Sequence, residues 1–290
     1  MDSPDFSADE YQRRLERAHR HMRAMNLDAL FFTTEAEMAY FTGFRTLFWQ
    51  SPTRPWFLVL PRDAGPIAVI PQIGAALMSA TWVEDIRVWS SPHADDDGIT
   101  LLTDALRGAA RIGMPMGRES MLRMPLSDFE RLRRALRSAE LVDATPIIQA
   151  LRMVKSPAEI EKIARICAIA SAAFAEAPGL FAEGQRLDDA FRAFRIELLR
   201  QGAEDVPYLV GGAGPDGYDD VISPAGSQKL KHGEVLMLDT GARRQGYFCD
   251  FDRNFAIGRA SDAARKAYAK LCWASDAALG AVRPGLRCCD

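Results

Sequence analysis

Two apolar runs in the C-terminal third of the chain each carry carboxylates where a buried strand should be free of charge. Val235-Leu236-Met237-Leu238-Asp239-Thr240-Gly241 reads as a core strand, and its run ends in an acid. A turn follows over Arg243-Arg244-Gln245-Gly246, and Tyr247-Phe248-Cys249-Asp250-Phe251-Asp252-Arg253-Asn254-Phe255 forms a second run. Asp239 and Asp250 are eleven residues apart. A hairpin centred on Arg244-Gln245 sets them directly opposite each other, where Cβ atoms in an antiparallel pair are only ~5 Å apart. Two ionised carboxylates that close repel each other, and apolar neighbours solvate them poorly. A cation between them removes both problems. An all-carboxylate pair with room for a His suits a hard or borderline divalent ion such as Mn, Fe, Co or Zn. Read singly, the residues have plainer roles. Asp239 then caps a turn, and Asp250 and Asp252 form an alternating exposed face with Arg253 as local partner.

Asp-x-Gly, a short turn, Gly-Tyr, then Asp-x-x-Arg and an aromatic resembles the first half of the metal site in pita-bread metallohydrolases. That family includes Xaa-Pro aminopeptidase, prolidase, methionine aminopeptidase and creatinase. Two further segments carry the resemblance. Leu151-Arg152-Met153-Val154-Lys155-Ser156-Pro157-Ala158-Glu159-Ile160 is similar to the opening of the catalytic domain in the Xaa-Pro and creatinase branch. Met38-Ala39-Tyr40-Phe41-Thr42-Gly43-Phe44 is similar to a motif of that branch's N-terminal domain. The resemblance implies an α/β creatinase-like N-terminal domain over residues 1–148. An α+β pita-bread catalytic domain over 149–290, incomplete, would follow. It implies a site holding one or two divalent ions (Mn, Co, Zn or Fe), with Asp239 and Asp250 as ligands and Asp252 as an additional ligand or near neighbour.

The resemblance also implies a His and two Glu further along the chain, and residues 251–290 contain neither type. The histidines are His19, His21, His93 and His232, all upstream. The chain therefore reads as a truncated member with half a metal site, expected to be inactive by itself; a natural short form is the alternative. Peptidase members carry a His in a Pro-His segment before the first metal Asp, and here Ile222 occupies that place. Asp252 stands where a Thr or Ser is usual. The implied substrate is a small peptide of the Xaa-Pro type or a small amide. A creatinase-like C–N hydrolase or lyase, and a catalytically dead binding module of the same fold, are the competing readings. A homodimer is implied by the resemblance alone.

Composition closes off other classes. At 290 residues and 48% apolar content the chain has material for two ordinary domains. The net charge of −3, with arginines interleaved among acids as in Asp128-Phe129-Glu130-Arg131, argues against a nucleic-acid footprint. No run approaches the ~20 apolar residues of a membrane span. The acidic start Met1-Asp2-Ser3-Pro4-Asp5 has no signal-peptide pattern, so a cytoplasmic location is expected. Five cysteines, odd in number and unpatterned, read as thiols, and Cys288-Cys289 is not a zinc spacing.

Local patterns predict the elements. Ser7-Ala8-Asp9-Glu10 and Ser127-Asp128-Phe129-Glu130 read as capping boxes. His19 and His21 are expected to face solvent. Strands are expected at 28–33, 56–60, 67–70, 85–88, 111–114 and 140–142, with helices between, as in an α/β domain. Ser156-Pro157-Ala158-Glu159 starts a helix, Leu187 to Gln201 gives another, and Ser261-Asp262 caps a third. Strands at 208–210, 235–239 and 247–255 complete an α+β pattern. Gly211 to Gly217 reads as a flexible loop, with no Lys-Ser/Thr to make it a phosphate cradle.

Overall fold

The structure, a computed structural model, describes residues 6–51, 53–215, 217–287 and 289. The acidic start Met1–Asp5, Asp216 of the glycine-rich loop and Cys288 lie outside them. The chain divides into two compact units, Met1–Ala158 and Glu159–Asp290.

The first unit runs α1 (Ala8–Ala24), β1 (Ala29–Phe32), α2 (Glu35–Thr42), β2 (Phe57–Pro61), β3 (Ile67–Pro71), α3 (Ala75–Met78), β4 (Asp85–Trp89), α4 (Ile99–Ala105), β5 (Arg111–Met114), α5 (Leu126–Ala135), β6 (Glu140–Asp143) and α6 (Thr145–Met153). Its six strands lie in the order β4-β3-β2-β1-β5-β6. β2 pairs antiparallel with β1 and β3, and the other neighbours are parallel. Ala-Leu-Phe-Phe, Phe-Leu-Val-Leu and Ile-Ala-Val-Ile are apolar throughout because both sheet faces are covered. Leu30, Phe32, Leu58 and Leu60 enter a core shared with α1, α2 and α6. Ala29, Phe31, Phe57 and Val59 point the other way, into a core shared with α4 and α5. α6 contributes Ile147, Ile148 and Leu151 to the first of these cores, so this unit extends beyond residue 148.

The helix starts depart from expectation. Ser7 is the N-cap of α1 but makes no side-chain cap bond: Glu10 N donates to the Ser7 carbonyl at 3.0 Å, and the Glu10 side chain turns to Arg13 and Arg14. α5 begins at Leu126 with Pro125 before it, which leaves Ser127 inside the first turn and removes that capping box. His19 is half-buried rather than solvent-facing, and its Nε2 is buried with no hydrogen-bond partner among the described residues.

The second unit holds α7 (Pro157–Glu176), α8 (Leu187–Arg200), β7 (Asp205–Val210), β8 (Ala213–Gly214), β9 (Val235–Arg244), β10 (Tyr247–Phe248), β11 (Phe251–Ala256) and α9 (Asp262–Ala281). β9 is the centre of the sheet, with β7 and β8 paired along one edge and β10 and β11 along the other, all antiparallel. Leu236 and Leu238 face α7 and α8. Phe251 and Phe255 stack on Phe174 of α7, whose ring also meets Phe194 of α8. Tyr247 donates to Glu159 Oε1 at 2.8 Å, tying the start of α7 to the hairpin.

The glycine-rich segment is held to β9 over residues 211–214 rather than loose. Gly212 O accepts from Met237 N at 2.9 Å, and Ala213 and Gly214 form a short ladder with Leu236 and Val235. A Cβ on Gly211 would overlap the Met237 carbonyl, so the glycine allows the backbone to approach. Ser261 caps α9 as expected, its hydroxyl accepting from Ala264 N at 3.1 Å. No described residue of α9 is buried.

Candidate metal centre

The hairpin closes one residue later than the sequence indicates. Its turn is Gln245-Gly246, both at positive φ (50° and 78°), the backbone that a two-residue turn matching strand twist requires. Arg243 and Arg244 therefore belong to β9, and Tyr247 pairs with Arg244. Cys249 N donates to Ala242 O at 3.0 Å, which carries the same register into β11. Asp239 then stands directly opposite Asp252, not Asp250. Asp250 is level with Gly241, diagonal to Asp239. The shift moves the pairing by two positions, and side chains alternate with period two, so the faces are unchanged. Asp239, Asp250 and Asp252 all lie on the sheet face opposite the helices, and Cys249 packs in the core behind them.

Gly241 of the Asp-x-Gly sequence has a structural reason. It pairs with Tyr208 on β7, and a Cβ there would overlap the Tyr208 ring. The ring lies over the glycine and its hydroxyl donates to Asp250 Oδ1 at 2.7 Å. Tyr208, Gly241 and Asp250 thus make one cross-strand row, and Val210, Asp239 and Asp252 make the next. On the far side Tyr218 donates to Asn254 Oδ1 at 2.8 Å. Neither tyrosine was singled out from sequence. Their signal is long-range register, which the local pattern around 208–210 does not contain.

The electrostatics of the face are those of an unneutralised acidic cluster. Asp239 Oδ1 is buried and has no hydrogen-bond partner among the described residues. Burial, followed by the charges of Asp250 and Asp252, pushes the Asp239 carboxyl above the usual carboxylate range. Asp252 is pushed up by burial and by Asp250, against the lowering charge of Arg253. Burial and the hydrogen bond to Asp250 drive the Tyr208 hydroxyl far above its ordinary value, so it stays a proton donor.

Hard oxygen donors, one of them buried and unsatisfied, fit a divalent cation as part of a ligand set. Asp239, Asp250 and Asp252 share this face, with Asp252 directly opposite Asp239 and Asp250 on the diagonal. Among the described residues no group of three or more His, Cys, Asp or Glu is close enough to hold a metal ion. His232 lies against Gly258, and Ile222 is 80% exposed. Among those residues also, no helix is long and apolar enough to cross a membrane.

Comparison with known proteins gives a consistent result. Residues 14–154 match the model of the creatinase/prolidase N-terminal domain, and residues 161–290 match that of metallopeptidase family M24. A Mycobacterium tuberculosis protein named "Probable dipeptidase PepE" is 26% identical over 289 residues, covering 99% of this chain and 74% of the relative. A creatinase from a Bacillus species is 26% identical over 303 residues, covering 99% of this chain and 70% of the relative. The crystal structure of dipeptidase PepE from Mycobacterium ulcerans superposes with a TM-score of 0.80 at 28% identity, over 97% of this chain and 74% of that one. A prolidase from Pyrococcus horikoshii has the same fold, with a TM-score of 0.79 at 18% identity, over 94% and 73% of the two chains.

Proposed function

Because this chain belongs to metallopeptidase family M24, with a creatinase/prolidase N-terminal domain ahead of a pita-bread domain, we propose that it carries the carboxylate half of a metallohydrolase active site for short Xaa-Pro-type peptides. Asp239 and Asp250 are the chain's own ligands for a divalent ion, Mn, Co, Zn or Fe, and Asp252 is a further ligand or a charged neighbour. The observation that carries this reading is the buried, unpartnered Oδ1 of Asp239 on a face shared with two more acids. A bound divalent ion supplies activation of a water and polarisation of an amide carbonyl. The residues of the chain do the rest of the positioning. Tyr208 fixes the orientation of Asp250 through its hydrogen bond. The phenylalanine stack behind β11 and the ladder of β9 hold the strands that carry the acids. Such outer partners are worth ~10–100-fold in metal affinity or activity.

Residues 251–290 hold no His and no Glu, and the acids on this face are Asp239, Asp250 and Asp252. Residues 1–290 by themselves are therefore expected to bind Mn or Co weakly and to turn over Xaa-Pro dipeptides poorly. A second reading, hydrolysis of a small non-peptide amide, is favoured by Ile222, which stands where peptidase relatives carry a His. Both are tested by assaying Xaa-Pro dipeptides, creatine and small amides with this protein, with and without added Mn. The expected result is slow, Mn-dependent hydrolysis that disappears in Asp250→Asn. Turnover indifferent to added Mn and to Asp250→Asn would overturn the assignment.

A further inference from the structure

The first unit contains a cavity of about 310 Å³ between the β1/β5/β6 side of its sheet and α5, remote in sequence from the carboxylate face. That volume is at the small end of the range for ligand sites, ~300–1,000 Å³. Its floor is apolar: Phe31, Ile112 and Leu132 are buried, and Phe129 and Leu136 are half-buried beside them. The mouth is basic. Arg133, Arg134 and Arg137 line it together with one acid, Glu130. Glu130 is engaged by Arg133 at 3.0 Å, and among the described residues neither Arg134 nor Arg137 has a carboxylate partner.

Part of this charge has an ordinary explanation. Arg133 and Arg134 sit in the last turn of α5, where cations offset the helix dipole. Arg137 lies just beyond the helix end, after the C-cap Leu136. An apolar pocket opening beside two unpaired guanidiniums is complementary to one ligand shape: a short apolar tail ending in an anionic head. A neutral apolar ligand leaves the cations unused. A free inorganic anion leaves the apolar floor unused.

We propose that this cavity binds a small monocarboxylic acid with an unbranched alkyl chain, the tail against Phe31, Ile112 and Leu132 and the carboxylate between Arg134 and Arg137. Guanidinium groups match a carboxylate in geometry as well as charge. The site is independent of the metal centre and of any hydrolytic activity.

The test is calorimetric titration of octanoate into the protein, with 1-octanol and inorganic phosphate as the tail-only and head-only probes. Saturable one-to-one binding of octanoate is expected, with phosphate giving none. Arg134→Glu/Arg137→Glu changes two exposed side chains and leaves the fold intact. It should weaken octanoate roughly tenfold while leaving octanol unchanged, the size expected for two exposed ion pairs and their reversal. Leu136→Trp, which enlarges a half-buried side chain of the floor and fills the cavity, should abolish both. Absence of saturable octanoate binding, or octanoate binding that neither variant alters, would overturn the proposal.

Discussion

Glu10 in the first unit and Asp239 in the second are both acids drawn partly out of water, and their surroundings have opposite sign. Glu10 is 4% exposed and is met by Arg13 at 2.9 Å and by Arg14 at 3.2 Å. Arg14 is itself buried, donates to Tyr40 O at 2.8 Å and lies over the Phe6 and Tyr40 rings. Burial opposes ionisation of Glu10, but the hydrogen bonds from Arg13, Ser156 and Arg14 and the Arg14 charge outweigh it, and its carboxyl sits below the usual range. Asp239 has an oxygen with no partner, two acids on its own face, and a carboxyl pushed above that range. Glu10 closes a structure by satisfying every neighbour. Asp239 leaves a charge deficit that a cation would fill, and such unsatisfied, perturbed acids cluster at functional sites.

The largest expected effect comes from breaking the satisfied acid. Arg14→Ala strands Glu10 without its buried partner, at a cost of about 3–5 kcal/mol. Four of the five tryptophans, Trp49, Trp56, Trp82 and Trp89, lie in the first unit, so tryptophan fluorescence during urea unfolding reads this loss. A change under about 1 kcal/mol would mean that the Glu10 cluster is held by packing alone.

Gly241→Ala is next. The new Cβ meets the Tyr208 ring, and such overpacking costs about 1–3 kcal/mol. The same shift pulls the Tyr208 hydroxyl from Asp250. Tyr208→Phe removes only that bond and should cost about 1 kcal/mol or less. Circular dichroism melts of the two variants separate packing from hydrogen bonding, and equal losses would contradict the row geometry.

A smaller effect sharpens the contrast through pH. The lowered pKa of Glu10 gives stability that is present above its unfolded value and is lost as pH falls through its folded value. The raised pKa of Asp239 works the other way. The native state holds that proton more tightly, so its contribution is greatest below the unfolded value and declines as pH rises through the folded one. Urea unfolding across the acid range should show Glu10→Gln flattening the low-pH loss and Asp239→Asn flattening the decline above it. The same sign of change from both variants would remove the distinction drawn here.

Much of this was legible in the chain. The central strands of the first sheet, β1, β2 and β3, are apolar runs bounded by turn residues, and they form where the runs lie. The acids of the carboxylate face also stood out, because charge within an apolar strand has few explanations. The pairing of those acids was not legible. Arg243-Arg244 looks like a turn and Gln245-Gly246 is a weak hairpin signal, so the centre was displaced by one residue and Asp250 took the place of Asp252. Tyr208 was invisible for a different reason. Its role depends on β7 lying against Gly241, a contact over thirty residues away in sequence. The glycines 211–214 read as freedom in one dimension and act as close packing against β9 in three.

The central claim is that the carboxylate face is built to hold a divalent cation. Thermal unfolding of wild type and Asp239→Asn, each with and without Mn, tests it most directly. Without metal, Asp239→Asn relieves like-charge repulsion and should raise Tm slightly, by about 1–3 °C. Added Mn should raise the wild-type Tm by mass action, and the variant should lose that response. A variant less stable than wild type without metal, together with an unchanged Mn response, would contradict the account.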